Sequence, residues 1–256
     1  MWLSILDSAW FLVLYPLLLI AFLWAGFFYH KRSYLKRRRE WKNIGVESTI
    51  IAIFSLLLSF ALVRSGNAVH ERSVMVHESG DDMAMLYRQS KFMDEPFHKE
   101  VRNYLLQYTS IVLDKPDPSP EDCLTLIHQI DALDKKLDEY FKNYLRENPS
   151  RESRVLSMME RSEVIGEVYY RLLYSFRERT PSSIIWVLII LSFIIAGLVG
   201  FLNATQEHSG YLIPLAFVSI TVLLIFTIRD LDNPGKGFIK PNYEDVQSVR
   251  QWMLAE

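Results

Sequence analysis

Four stretches of this chain, each 18 to 20 residues long, are strongly apolar and almost free of charged side chains. The hydrocarbon core of a bilayer is about 30 Å thick, and a helix needs roughly 20 apolar residues to cross it. A soluble domain distributes its apolar residues at helical or strand spacing instead of collecting them in blocks. We therefore predict an all-α integral membrane protein with four transmembrane helices, at residues 10–28, 44–63, 184–202 and 211–228.

The segment between the second and third spans is polar enough to face water. Residues 64–181 carry 17 Lys or Arg and 21 Asp or Glu side chains among 118 residues. We predict three parts: residues 1–63 hold the first two spans and their basic connecting loop, and residues 64–181 form a helical extramembrane domain. Residues 182–256 hold the last two spans and a C-terminal turn segment.

Within this domain, apolar residues recur at helical spacing in three segments separated by prolines. Residues 64–93 precede these segments and continue the second span as one long helix that Glu95-Pro96 ends. Ser119, followed by Pro120 and two acidic residues, is typical of a helix N-terminus. The predicted buried stripes are Phe97, Val101, Tyr104, Leu105, Tyr108 and Val112; Leu124, Ile127, Ile130, Leu133, Leu137, Tyr140 and Tyr144; and Val155, Met158, Ser162, Ile165, Tyr169, Leu172 and Phe176.

Basic residues are concentrated in the loop between the first two spans. The loop has one acid, Glu40, and seven basic side chains: Lys31, Arg32, Lys36, Arg37, Arg38, Arg39 and Lys42. Beside two spanning helices, such a run favours contact with anionic lipids over binding to nucleic acid. Placing this loop in the cytoplasm puts the helical domain and both termini outside.

The sequence contains no recognisable catalytic or metal-binding motif. Cys123 is the single cysteine, so neither an internal disulfide nor a cysteine metal cluster can form. There is no phosphate-binding loop, nucleophile elbow or H-E-x-x-H motif. We therefore expect no enzyme activity, no catalytic residue, no bound metal and no cofactor.

A row of polar and small residues follows one side of the second span and its extension. Its members recur mostly at steps of seven, four and three, which keeps them close to one side of a helix: Ser48, Ser55, Ser59, Asn67, His70, Val74, His77 and Asp81. Polar side chains inside a membrane are tolerated where they face other helices or a water-filled cavity. Three interpretations remain open: helix packing contacts, the wall of a pore, or a metal or proton site at His70 and His77.

Two acidic features lie at the ends of the spans. Glu47 lies near the start of the second span, where it is either a functional carboxylate or an interfacial side chain that reaches water. Residues 229–237 follow the fourth span and are typical of a helix end and tight turn. The acids of this segment, Asp230 and Asp232, are also candidate oxygen ligands for a hard cation.

Three motifs resemble a large bacterial family described as bestrophin-like and catalogued as a domain of unknown function. They are Gly45-Val46-Glu47-Ser48, the A-G-L-V-G-F end of the third span, and D-L-D-N-P-G-K-G-F-I at residues 230–239. The likeness covers residues 44–245, and it implies a bacterial inner-membrane protein.

A more distant likeness connects the chain to true bestrophins. Arg64, Asn67, His70 and Arg72 lie where bestrophins have an Arg, an Asn and an Arg-rich helix after the second span. The sequence Asp232-Asn233-Pro234-Gly235 resembles the acidic Pro-Phe-Gly segment of bestrophins, without its Phe. Bestrophins are pentameric anion channels whose second helix lines the pore. The resemblance therefore implies a homo-oligomer in which Ser55, Ser59 and Val63 face the axis.

Two functional hypotheses follow. The first is a homo-oligomeric, bestrophin-like ion channel, for anions, in which the second transmembrane helix lines the pore. The second is a non-conducting envelope scaffold or sensor that binds a protein partner through the helix face from Val155 to Phe176. The resemblance also places the large domain and both termini in the cytoplasm, opposite to the prediction from the basic loop.

Overall fold

Every described element of the computed structural model is a helix, which confirms the all-α prediction. The structure describes residues 9–37, 45–116, 118–119, 121–177, 180–205, 210–232 and 237–255. A short 3-10 helix, Pro149–Arg151, lies immediately before the helix that begins at Glu152. The helices are α1 (Ala9–Arg37), α2 (Val46–Ser90), α3 (Glu95–Asp114), α4 (Asp122–Glu147), α5 (Glu152–Arg177), α6 (Ser182–Thr205), α7 (Leu212–Leu231) and α8 (Glu244–Leu254).

Within the described residues, four helical segments are long and apolar enough to cross a membrane, and they overlap the four predicted spans. They include α1, the first part of α2, α6 and α7. The helix α1 extends to Arg37, so it continues into the predicted loop. Lys31 and Arg32 lie exposed near its end, whereas Arg38, Arg39 and Lys42 lie outside the described residues.

The chain divides into two compact units. The transmembrane unit comprises the described residues up to Gly66 together with Thr180–Asp232. The helical domain comprises Asn67–Arg179 and Asn233–Glu256, as far as these ranges are described. The long helix α2 therefore contributes residues 46–66 to the first unit and residues 67–90 to the second. Its continuity from Val46 to Ser90 confirms the predicted extension of the second span.

In the transmembrane unit, α1 and α6 approach each other unusually closely. A Cβ atom added to Gly200 would lie 1.9 Å from the Leu23 carbonyl oxygen, and one added to Gly26 would lie 1.9 Å from the Gly197 carbonyl oxygen. Small residues permit such backbone contact between membrane helices, where packing replaces the hydrophobic effect as the driving force. The buried Tyr15 hydroxyl also donates a hydrogen bond to Ser192 Oγ at 3.0 Å.

The helical domain has a core made of the predicted stripes, with one correction. The α3 stripe is fully buried, and the α5 stripe is buried except for the half-buried Ser162. On α4, the prediction for Leu124 is wrong: this side chain is 55% exposed, and Cys123 and Leu126 point inward instead. Cys123 and Leu126 lie on the same side of the helix as Ile130, whereas Leu124 lies more than about 90° away from it.

The predicted N-terminus at Ser119 is confirmed by a reciprocal pair of hydrogen bonds. The backbone N–H of Asp122 donates to Ser119 Oγ at 3.3 Å, and the backbone N–H of Ser119 donates to Asp122 Oδ2 at 3.2 Å. Such a capping box satisfies amide groups that the first turn of a helix leaves without partners. The sequence pattern did not reveal α8, whose Val246, Val249 and Met253 are buried in the domain core.

A buried carboxylate lies where α3, α4 and α5 meet. The Tyr104 hydroxyl donates to Asp134 Oδ1 at 2.7 Å, and Tyr170 also donates to this carboxylate. Gly166 leaves space for it, because a Cβ there would lie 2.9 Å from Asp134 Oδ2. The pKa of Asp134 is raised to about 6, chiefly by burial and also by the nearby Asp131, while the two tyrosine hydroxyls act in the opposite direction.

Replacement of a helix-contact glycine tests the α1–α6 packing. Gly200→Ala is expected to lower the midpoint temperature of unfolding in detergent, because its Cβ would force the two backbones apart. Overpacking of this kind costs about 1–3 kcal/mol. The matched control is Gly197→Ala, whose Cβ would lie at an ordinary 3.8 Å from Phe22 O. A Gly200→Ala midpoint equal to that of the control would contradict the close contact.

The pH dependence of stability tests the buried carboxylate. The folded pKa of Asp134, about 6, lies above the ordinary value of 3.8 for an aspartate side chain, so the folded state binds the proton more tightly. Stability is therefore lost as pH rises from about 4 to about 6. Asp134→Asn keeps an acceptor for Tyr104 and removes the charge, so it should raise the free energy of unfolding above pH 6, by on the order of 1–2 kcal/mol.

Thermal unfolding measured from pH 4 to pH 8 checks this expectation. Asp138→Asn, on the same helix and paired with Lys142 at the surface, is the control and should keep the pH profile of the unaltered protein. If Asp134→Asn has the same pH profile as this control, the carboxylate does not titrate as described.

Candidate functional site

In the transmembrane unit, one side of α2 packs against the rest of the described chain. The buried residues of this side are Glu47, Phe54, Leu58, Ala61 and Ser65. At about 100° per residue they fall within an arc of roughly 60°. Phe54, Leu58 and Ala61 join the apolar core formed with residues of α1, α6 and α7.

The predicted polar row lies on the other side of the same helix. Ser48, Ser55, Ser59 and Val63 are all exposed, and their centre is about 120° around the helix from the buried side. Within the described residues, the serines therefore make no buried packing contact with their own chain. At this position the serines can contact another copy of the chain, lipid or water.

The serine hydroxyls bond to the backbone of their own helix. Ser48 Oγ donates to the Gly45 carbonyl at 2.7 Å, and Ser55 Oγ donates to the Ile51 carbonyl at 2.9 Å. A hydroxyl bonded in this way has a satisfied donor and still presents an acceptor outward. These residues therefore make a mildly polar surface of low bulk, which suits either close helix contact or a water-filled wall.

The exposed row continues along the part of α2 that belongs to the helical domain. Asn67, His70, Val74, His77 and Asp81 are exposed, and the buried residues of this part, such as Val76 and Met83, lie on the opposite side.

His77 is paired with a helix that sequence analysis did not predict. Its Nδ1 lies 2.7 Å from Asp245 Oδ2 on α8, and its Nε2 lies 3.6 Å from Asp81 Oδ2. The hydrogen bond with Asp245 is the main reason why the pKa of His77 is raised. His77 thus contacts α8, and no group of three or more His, Cys, Asp or Glu side chains in the described residues is arranged to hold a metal ion.

Two arginines named by the bestrophin resemblance have different environments. Arg64 is exposed, whereas Arg72 is only 1% exposed. The Arg72 guanidinium donates to the Ser175 carbonyl oxygen at 3.0 Å and lies over the Phe176 ring, 5.6 Å from its centroid. Arg72 therefore anchors α2 to the end of α5.

The structure corrects the interfacial interpretation of Glu47. This side chain is 6% exposed, so it does not reach out to water at the membrane surface. Glu47 lies on the buried side of α2, about two helical turns before Phe54.

The two acids at the end of α7 differ in burial. Asp230 is half-buried, and Asp232 is 7% exposed. Asp232 Oδ1 accepts hydrogen bonds from Ser65 Oγ at 3.0 Å and from Thr180 Oγ1 at 2.9 Å. Pro234 and Gly235 lie outside the described residues. Sequence analysis missed this network because its three members are distant along the chain.

The helix face of the scaffold hypothesis is not a free surface. Val155, Ile165, Tyr169 and Phe176 are all buried in the core of the helical domain. A partner could bind this face only if the domain opened. The structure therefore removes the surface on which that hypothesis was based.

Solved structures of bacterial membrane proteins have the same fold. A variant of a bacterial bestrophin homologue from Klebsiella pneumoniae superposes with a TM-score of 0.73 and 13% identity, covering 96% of this chain and 98% of that one. The same homologue phased with zinc gives a TM-score of 0.69 and 13% identity, with 95% and 96% coverage. A further crystal structure, of a variant of a membrane protein, gives 0.72 and 14%, with 96% and 98% coverage.

Sequence comparison identifies the family directly. A search of curated protein sequences finds no match for the chain. The family model of the Bestrophin-like domain, however, matches residues 14–240, which is most of the sequence. Together with the four spans, this match shows that the chain is a multi-pass membrane protein that belongs to the Bestrophin-like family.

Proposed function

We propose that the protein is a homo-oligomeric ion channel in which copies of α2 surround a water-filled conduit. The observation that supports this proposal is the row from Ser48 to Asp81, whose members are all exposed in the described chain although His77 also contacts α8. Polar residues inside a membrane are rarely left against lipid, and other copies of the same helix would shelter them.

The neighbours of this row suit contact between copies. Ile53, Leu56 and Phe60 are more than half exposed. They lie beyond the serines around the helix, counted from its buried side. In a ring of α2 helices, these larger apolar side chains would pack against the next copy or lipid. The smaller residues Ser55 and Ser59 would then face the axis and leave space for water. A ring of five copies is the arrangement that the resemblance to bestrophins implies.

Two arguments about the charge of the permeant ion lead to different expectations. The resemblance implies anions. The exposed side of α2 between Asn67 and Asp81 carries Glu71, Glu78 and Asp81 and no exposed Lys or Arg. Fixed carboxylates along a conduit attract cations and repel anions. We therefore propose that these carboxylates shift the permeability of the channel toward cations, whatever its intrinsic preference.

We propose the bacterial inner membrane as the location, on the resemblance alone. The basic loop, whose Lys31 and Arg32 are exposed at the end of α1, supports anionic-lipid contact and an outward-facing helical domain. The likeness to bestrophins implies the opposite orientation. An enzyme reporter that is active on only one side of the membrane, fused to the C-terminus, distinguishes the two.

Electrical recording tests the conduit. Purified protein in planar bilayers is expected to pass current, and Ser59→Trp is expected to abolish it, because the indole ring would fill the space beside the axis. Ile53→Trp is the matched control: this residue is 52% exposed on the same helix, about 120° away from Ser59, and its substitution should leave the current largely unchanged.

Both variants are first compared with the unaltered protein by oligomer mass in detergent. Normal conductance in a folded Ser59→Trp oligomer would remove the pore assignment. Absence of current from the unaltered protein, with a monomeric mass, would remove the proposed function as a whole.

Neutralising the exposed carboxylates tests the proposed charge effect. Glu71→Gln combined with Glu78→Gln is expected to move the reversal potential in a salt gradient toward the equilibrium potential of the anion, because less negative charge remains beside the conduit. Glu163→Gln, at an exposed site on α5, is the control and should leave the reversal potential unchanged. The same reversal potential in all three proteins would contradict a role for this face in selectivity.

A further inference from the structure

Three buried polar side chains meet where the second, third and fourth spans end or begin. Ser65 follows the predicted second span, Thr180 precedes α6, and Asp232 follows α7. They are 0%, 4% and 7% exposed, respectively. Besides the two bonds to Asp232 Oδ1, the hydroxyl oxygens of Ser65 and Thr180 lie 3.4 Å apart. The three residues therefore form one closed group within the transmembrane unit.

The bonds in this group are directional and strong. Hydrogen bonds from hydroxyls to a carboxylate are charge-assisted, and a buried polar group that loses its partner is left with a desolvation cost. The other buried contacts of α2 in this unit are made mainly by the apolar side chains of Phe54, Leu58 and Ala61, with the buried Glu47 at the start of the helix. Apolar contact is non-directional, so by itself it permits small rotations of a helix about its own axis.

Ser65 lies on the same side of α2 as those apolar residues. Its bond to Asp232 holds this side of the helix toward the start of α6 and the end of α7. The rotation of α2 in turn decides whether Ser55 and Ser59 or their larger neighbours point away from the subunit. Even a small rotation of α2 would change how far each of these groups points away from the subunit.

We propose that Asp232 is a positioning residue: by accepting the Ser65 and Thr180 hydroxyls together, it fixes the rotation of α2 and so keeps the Ser48–Ser59 row turned away from its own subunit. The importance of this row for conduction rests on the proposed function. The fixed rotation itself does not, because it concerns contacts within one chain.

Spin labelling measures this rotation without reference to conduction. Single cysteines at positions 57, 58, 59 and 60, in a Cys123→Ala background, receive a nitroxide label, and its mobility and accessibility to oxygen are recorded. In the otherwise unaltered protein, position 58 should give a clear minimum, because Leu58 is 6% exposed whereas Phe60 is 64% exposed.

Loss of one hydroxyl should change this profile. Ser65→Ala and Thr180→Val each remove a donor to Asp232, and the minimum at position 58 should weaken or move to a neighbouring position. Thr180→Ser retains the hydroxyl and should restore the original profile. Thr180→Val preserves the shape of threonine, so it carries the test if Ser65→Ala does not yield folded protein.

The outcomes separate positioning from ordinary stabilisation. A lower unfolding temperature with an unchanged labelling profile would overturn the proposal, since a purely structural bond lowers stability without turning the helix. An altered profile for Thr180→Val but not for Thr180→Ser supports it. If Ser59→Trp still conducts while Thr180→Val alters the profile, the conduit assignment fails and the positioning role of Asp232 stands.

Discussion

The burial of a single side of α2 is the constraint on which the other features depend. In the transmembrane unit, Phe54, Leu58 and Ala61 hold this side in the apolar core; in the helical domain, Val76 and Met83 do the same. One continuous helix, Val46–Ser90, supplies both sets of contacts. Because the buried residues of α2 occupy only part of the helix circumference in each unit, a long exposed surface remains, and this surface carries the proposed pore-lining residues.

Hydrogen bonds to carboxylates favour one arrangement of helices where apolar packing alone leaves their orientation adjustable. Asp232 binds two hydroxyls in the transmembrane unit, and Asp134 receives two tyrosine hydroxyls in the helical domain. Each carboxylate connects elements that are distant in sequence. Buried polar groups are costly unless their partners are in place, so such networks favour one arrangement of the helices over near alternatives.

Periodicity in the sequence was sufficient for the spans, for the extension of α2 and for the stripes of α3 and α5, because burial there repeats with the helical period. It was insufficient at Leu124, because Cys123 and Leu124 are adjacent and either could begin an apolar stripe. The Ser65, Thr180 and Asp232 group was not predictable for a different reason. Its members are single polar residues more than 50 positions apart, and only the folded chain brings them together.

The low identity to the solved structures limits what the shared fold implies. At 13–14% identity, the fold is retained although most side chains differ. This is physically reasonable, because apolar contacts are non-directional and many residue combinations fill the same helix interfaces. In the proposed channel, ion passage would depend instead on the few side chains that face the conduit, such as Ser59 and Glu71, and these have no comparable redundancy. Fold similarity therefore supports the architecture, while selectivity has to be established from the exposed side of α2 in this chain.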